Sequence, residues 1–350
     1  MRSSLTVARK AGSDPTVASS EASAVDTSSS VSARSLLLGL AVGVPISAAL
    51  LYIATRNVGW ERVRASLREA HWLPLLAAVA AFAGVYALQS ARWRWIARRE
   101  APLPERVYLR LVVAGVGANN VLPGRPGDLL RAHWLNRRSG VRHSRALGTV
   151  IVDRACDVFI LLAMLVATYP FTPHRPWIEH LLVASLAITA VIAAGLIATR
   201  LYVGHRDRDG RTLPLRVRLS WPGRQLSGLI RSTASVVRGS DMAVAVAISA
   251  AAWIVWAAAA WLVADALGIH LILWQTVFVT GLVNLGTAVP SSPGFVGTYQ
   301  WLCVSALGLF GIGASEAFAY SLLLQAAWFV PTTIVGVPLA VRLSMESRHA

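Results

Sequence analysis

Two short segments combine charge with helix-breaking residues, and they are where this chain is best equipped for chemistry. The first runs Asn119-Asn120-Val121-Leu122-Pro123-Gly124-Arg125-Pro126-Gly127-Asp128-Leu129-Leu130-Arg131. Pro126 suits the first turn of a helix, where its missing N–H has no intrahelical role. Asp128 then falls in that turn, favourably placed against the macrodipole. Arg125, Asp128 and Arg131 recur every third residue and lie along one face. Free N–H groups at such a helix start, together with two Arg, offer a cradle for a phosphate or another anion. The plainer reading of the same residues is a helix cap flanked by basic side chains.

The second segment is Val152-Asp153-Arg154-Ala155-Cys156-Asp157. Asp153 and Asp157 are four apart on one face, with Arg154 beside them, inside a run that must enter the membrane. Charges at that depth cost kcal/mol each and face a partner or an aqueous cavity, which makes them functional candidates. The structural alternative is an ion pair tying Asp157 to Arg154 or Arg131. A third segment, from Asn284 to Gln300, has no charge; Pro293, Gly294 and Gly297 permit sharp turns and close helix approach. The reading expects Arg125, Asp128, Arg131, Asp153, Arg154 and Asp157 to form one substrate-binding polar cluster. Asn119, Asn120, Asn284, Pro293 and Gly294 complete the expected site.

Cys156 and Cys303 both sit in apolar runs, and the eight His show no paired ligand spacing. Neither a disulfide framework nor a metal or other cofactor is expected. The 350 residues are 55% hydrophobic and 14% charged, with a net charge of +16. A soluble domain carries about 25% charged residues, so most of this chain belongs in a membrane. Residues 35–55, 71–91, 242–264 and 317–341 lack Asp, Glu, Lys and Arg, and 180–199 makes a fifth such run. At about 1.5 Å per residue, about 20 residues cross the ~30 Å hydrocarbon core. Lys10 is the only Lys, and the many Arg sit in short loops between apolar runs. Cytoplasmic retention and anionic headgroups account for that distribution. A nucleic-acid partner would need a basic folded face instead, and none is expected.

These segments require a particular scaffold. Residues 1–34, rich in Ser, Ala and Thr, read as a disordered cytoplasmic tail, with the membrane domain over 35–341 and a short tail at 342–350. An amphipathic surface helix is expected where Trp60, Val63, Leu67 and Ala70 recur beside Arg and Glu. The apolar piece 107–123 is short and ends in Gly, Asn and Pro between two basic loops, so a re-entrant hairpin keeps both loops on one side. The spacing P-x-x-P-G occurs at 123–127 and again at 290–294. Each copy follows an apolar segment with Gly and Asn. Units at about 71–199 and 242–341, linked by a cytoplasmic loop over 200–241, then form an inverted repeat, an arrangement that builds midplane sites from broken helices. The expected fold is an all-α polytopic membrane protein of seven to eight transmembrane helices with one or two re-entrant hairpins. The side of the C-terminus stays open.

The motifs at 123–131, 153–157 and 293–297, in that order, resemble the lysylphosphatidylglycerol synthase transmembrane-region family over roughly residues 35–341. The resemblance implies a flippase-like domain in the cytoplasmic membrane that translocates or binds an anionic phospholipid or polyprenyl-phosphate-type lipid. It places Arg125, Asp128, Arg131, Asp153, Arg154 and Asp157 at the family's charged motif positions. The family commonly has Glu where this chain has Asp128 and Asp153, and an acid where it has Gln300. The soluble aminoacyl-transferase domain of the full synthases is not expected, since few residues follow Val341. No catalytic constellation is recognised. The alternatives are a membrane-embedded transferase acting on a lipid-linked substrate, or a non-catalytic membrane partner of a lipid-modifying enzyme.

Overall fold

The computed structural model describes residues 33–122, 124–173, 175–208, 239–287 and 292–349. The tail expected over most of 1–34 and the centre of the 200–241 loop lie outside the described residues, as do Pro123 and Pro290. The described residues form helices and no strands. The protein is an all-α, multi-pass membrane protein.

The five uncharged runs and the charge-bearing segment around Asp153 become long helices: α1 (Ala33–Thr55), α3 (Trp72–Ala97), α6 (His143–Thr168, which holds the charges), α7 (Pro176–Arg208), α8 (Gly239–Ala266) and α11 (Ala314–His349). Among the described residues four stretches are long and apolar enough to cross a membrane: Trp72–Ala97, Pro176–Gly195, Ser240–Ala266 and Ala314–Ser347. The amphipathic segment forms α2 (Trp60–Glu69), with Val63 buried and Trp60 packed edge-on against Phe318 at 5.6 Å. The two P-x-x-P-G motifs fall where helices break. α4 (Glu105–Val121) stops before the first and α5 (Gly127–Ser139) follows it. α9 (Leu273–Gly286) stops before the second, and a 3-10 turn (Pro293–Phe295) and α10 (Thr298–Gly308) follow. The four membrane-crossing stretches among the described residues fit an all-α membrane protein.

The order long helix, short helix, break, short helix, long helix therefore occurs twice, as α3–α6 and as α8–α11. The packing repeats as well. α3 lies along α8; α11 packs on α4 and, reciprocally, α6 packs on α9. α3 and α8 run antiparallel: Arg98 and Arg99 pair with Asp241 at one end, and the His71 amide donates to the Ala266 carbonyl at the other. α4 and α11 are also antiparallel, since Gly117 abuts Gly336 while Asn120 bonds to Thr332 and Thr333. A Cβ on Gly117 would stand 2.5 Å from the Gly336 carbonyl carbon, so only glycines allow this approach.

The helix ends collect on two faces. Arg145, at the start of α6, pairs with Glu100 just beyond α3, and Arg138 at the end of α5 pairs with Glu346 at the end of α11. With the Asp241 contacts, this places the ends of α3, α5 and α11 and the starts of α6 and α8 together on a strongly basic face. On the other face the Gly59 amide meets Ser315, and Phe171 and Phe310 both pack on Trp274. The aromatic and aliphatic core lies between, with Trp93, Tyr108, Phe278 and Tyr320 fully buried.

Candidate functional site

The site begins at the first break. Gly124 and Arg125 both have positive φ, 76° and 53°, the second uncommon for a residue with a side chain. This turn lets α5 start hard against α4. The Gly127 amide donates to Asn119 Oδ1 at 2.7 Å, so that helix-start donor is committed within the protein. A Cβ on Gly127 would stand 2.0 Å from the Gly115 carbonyl oxygen, which leaves only glycine there.

α6 presents Asp153 and Asp157 on one face, one turn apart, and both are buried. Their principal partner is Arg92 of α3, itself fully buried. Arg92 Nε donates to Asp153 Oδ1 at 2.8 Å, while Nη1 and Nη2 donate to the two oxygens of Asp157 at 2.5 and 3.0 Å. Nη1 also reaches Ser249 Oγ on α8 at 2.7 Å, and Trp253 Nε1 donates to Asp157 Oδ1 at 2.9 Å. Arg131 donates to Asp153 Oδ2 at 3.1 Å and to Asp128 Oδ1 at 3.3 Å, with its guanidinium 4.2 Å over the Trp93 ring. Arg154 closes the outer side, 3.3 Å from Asp157 Oδ2 and 3.4 Å from Asp128 Oδ1. Three arginines thus meet three aspartates, so the buried charges are balanced as a low-dielectric setting demands.

Arg125 stands apart from these carboxylates. Its Nη2 donates to the Thr287 carbonyl at 2.6 Å, and its guanidinium lies 4.0 Å over the Phe295 ring. The arginine of the first break therefore touches the second break. Between the breaks is a cavity of about 160 Å³. Asn119, Asp128, Arg131 and Arg154 line it from the first break and α6, Asn284 and Thr287 from the end of α9, and Trp253, Trp256 and Phe295 add aromatic walls. Arg131 Nε is buried at this wall with no acceptor in the protein. The arrangement can hold a small anionic group among guanidinium and amide donors.

A family model described as the lysylphosphatidylglycerol synthase TM region matches residues 36–336, from the first long helix into the last and across both breaks. The chain belongs to that family. No curated protein and no solved structure matches it. Membership of the lysylphosphatidylglycerol synthase TM-region family ties this membrane protein to lipid modification or transport.

Of the site residues expected from sequence, the structure brings Asp128, Arg131, Asp153, Arg154 and Asp157 into direct ionic contact, while Arg125 bridges to the second break. Asn119 and Asn284 line the cavity; so does Asn120, which also donates to Thr332 and Thr333 of α11 at 3.1 and 2.9 Å. Pro293 opens the 3-10 turn, and the Gly294 carbonyl accepts from Gln325 Nε2 at 2.5 Å. Gln300 donates from Nε2 to Gln325 Oε1 at 2.5 Å. An amide pair thus joins α10 to α11 as the Arg131–Asp153 ion pair joins α5 to α6. Arg92, Ser249 and Trp253 were not expected. A scan for uncharged runs ends at Ala91 and leaves Arg92 in a basic loop, whereas α3 continues to Ala97 and carries Arg92 into the core.

Proposed function

We propose that this protein binds an anionic phospholipid or polyprenyl-phosphate-type headgroup in the cavity between the two breaks and moves it across the cytoplasmic membrane. The observation that carries this reading is the charge arrangement: the buried Asp153 and Asp157 and the partly exposed Asp128 already balance Arg92, Arg131 and Arg154, and Arg125 is a further cation beside the same cavity. A singly charged phosphodiester answers that excess. The Asn119 and Asn284 side-chain amides, each with an N–H left to donate, supply neutral hydrogen bonds, and the lipid tails stay in the bilayer.

The repeated, antiparallel helix order supports an inverted repeat whose two breaks are re-entrant segments entering from opposite sides. A site shared between such repeats becomes accessible to each side in turn as one unit rocks against the other. Arg125 belongs to one break and rests on the other, so its contact with Thr287 and Phe295 is one such motion would change.

The test is reconstitution in liposomes with headgroup-labelled phosphatidylglycerol and an impermeant quencher. Wild-type protein should lower the fraction of label protected from the quencher. Arg125→Gln should slow this by about tenfold or more, the equivalent of one charge-assisted hydrogen bond, at equal incorporation. An unchanged protected fraction with the wild type would sink transport, and a covalently altered lipid would point to a transferase.

A further inference from the structure

Following α4 from Asn119 to Arg110, about 14 Å along the helix at 1.5 Å per residue, leads from the first cavity to a second one near the basic face. Its volume is about 410 Å³. Arg110 of α4, Arg137 and Arg138 of α5 and Arg342 of α11 line it, with Glu346 as its one acidic lining residue. Glu346 is shared, one oxygen accepting from Arg138 and the other from Arg342 Nε at 3.1 Å. Arg137 Nη2 donates to the Ser347 carbonyl at 2.5 Å, and Arg110 forms no ion pair among the described residues. Four guanidinium groups against one carboxylate leave a formal excess of three positive charges. Trp134 also lines the cavity; it is almost wholly buried, and its indole Nε1 has no acceptor in the protein. An indole nitrogen can only donate, so the wall lacks an acceptor at that point.

Three separate helices hold these like charges around one space. A bound anion relieves their repulsion, and planar guanidinium forks match phosphate oxygens in pairs. A carboxylate ligand has a single charge and leaves two cations unanswered. A phosphomonoester or diphosphate brings two or more charges and several acceptors, and a cavity of this size has room for the group attached to it.

We propose that this cavity is a second, separate binding site for a phosphomonoester or diphosphate group. It shares no lining residue with the first cavity and requires no translocation, so it stands or falls independently of the transport reading. On α5 the two sites are one turn apart: Arg131 faces the first cavity and Trp134 the second.

The experiment uses the full chain in phosphatidylcholine nanodiscs, titrated with inorganic pyrophosphate by calorimetry. A parallel set is doped with phosphatidic acid and phosphatidylglycerol, and native mass spectrometry counts the lipid retained. The expected result is saturable pyrophosphate binding, or retention of phosphatidic acid over phosphatidylglycerol. Arg110→Gln with Arg137→Gln, both at exposed positions, should weaken it at least about tenfold per arginine removed. Trp134→Phe keeps an aromatic ring, though a smaller one, and removes the N–H, and should weaken it in the same direction. Monodisperse elution of each variant guards against misfolding. Pyrophosphate binding without lipid preference identifies a soluble phosphate ligand, and preferential lipid retention identifies a headgroup. Either supports the site. Saturable binding of neither probe, or binding equal in wild type and the Arg110→Gln/Arg137→Gln protein, overturns it.

Discussion

Arg92 directs all three of its nitrogens to Asp153, Asp157 and Ser249, whereas Arg125 holds only a backbone carbonyl and an aromatic face. The two arginines should therefore fail in different ways. Arg92→Gln leaves two buried carboxylates short of a partner, a loss of about 3–5 kcal/mol. The variant should be depleted in membranes and unstable on size-exclusion chromatography after extraction. Adding Asp157→Asn to it should recover part of the abundance, because the double change removes one of the two carboxylates and Asp153 keeps Arg131. A double variant worse than Arg92→Gln alone would contradict the pairing. Arg125→Gln removes an exposed contact and should leave abundance within experimental scatter, so that any loss of lipid movement is a loss of function. The sequence made Asp153 and Asp157 legible because charges in an apolar run stand out. Their main partner was not legible from a scan that treats every Arg after an apolar run as its end.

At the scale of elements, the helix breaks were readable and the helix contacts were not. Pro and Gly in P-x-x-P-G spacing remove donors and admit positive φ, so each motif marks an interruption wherever the chain packs. The partner across the bundle depends on close approach between backbones far apart in sequence. Gly117 and Gly336 show this: nothing local to either predicts the other, yet their backbones touch where α4 meets α11. Gly117→Val would place a branched side chain where even a Cβ lies 2.5 Å from the opposing backbone. The helices must separate, at a cost of about 1–3 kcal/mol or more for overpacking. Extraction in mild detergent followed by a thermal ramp should show a lowered midpoint. Gly84→Ala is the matched control, because an added methyl there meets nothing within 4 Å. It should hold or raise the midpoint, as removing a helix-interior glycine gains up to about 1 kcal/mol. Equal behaviour of the two substitutions would refute the close contact.

For the whole molecule, the two faces carry different charge, and this makes the orientation testable. The basic face gathers Arg98, Arg99, Arg137, Arg138, Arg142, Arg145 and Arg342, with few acids among them. On the other face the arginines of α2 alternate with Glu61 and Glu69, and Asp265 and Glu316 lie nearby. The positive-inside rule predicts that the basic face is the cytoplasmic one. The sequence leaves the side of the C-terminus undecided because the uncharged stretch before α11 does not say whether the chain turns back or crosses at the second break, although Arg342 and Arg348 favour the cytoplasmic side. The pairing of Arg138 with Glu346 supplies what is missing, since it ties the end of α11 to the face on which α5 ends. Single cysteines are placed at Asn57, Arg142 and Met345 in a protein whose buried Cys156 and Cys303 are replaced by Ala. Intact cells treated with an impermeant maleimide should label Asn57→Cys strongly, and Arg142→Cys and Met345→Cys only after permeabilisation. If Arg142→Cys and Met345→Cys label on opposite sides, α5 and α11 cannot end on one face, and the inverted arrangement of the two units fails with it. If all three follow the expected pattern, α11 returns to the side from which α8 departs, as a second re-entrant segment between them requires.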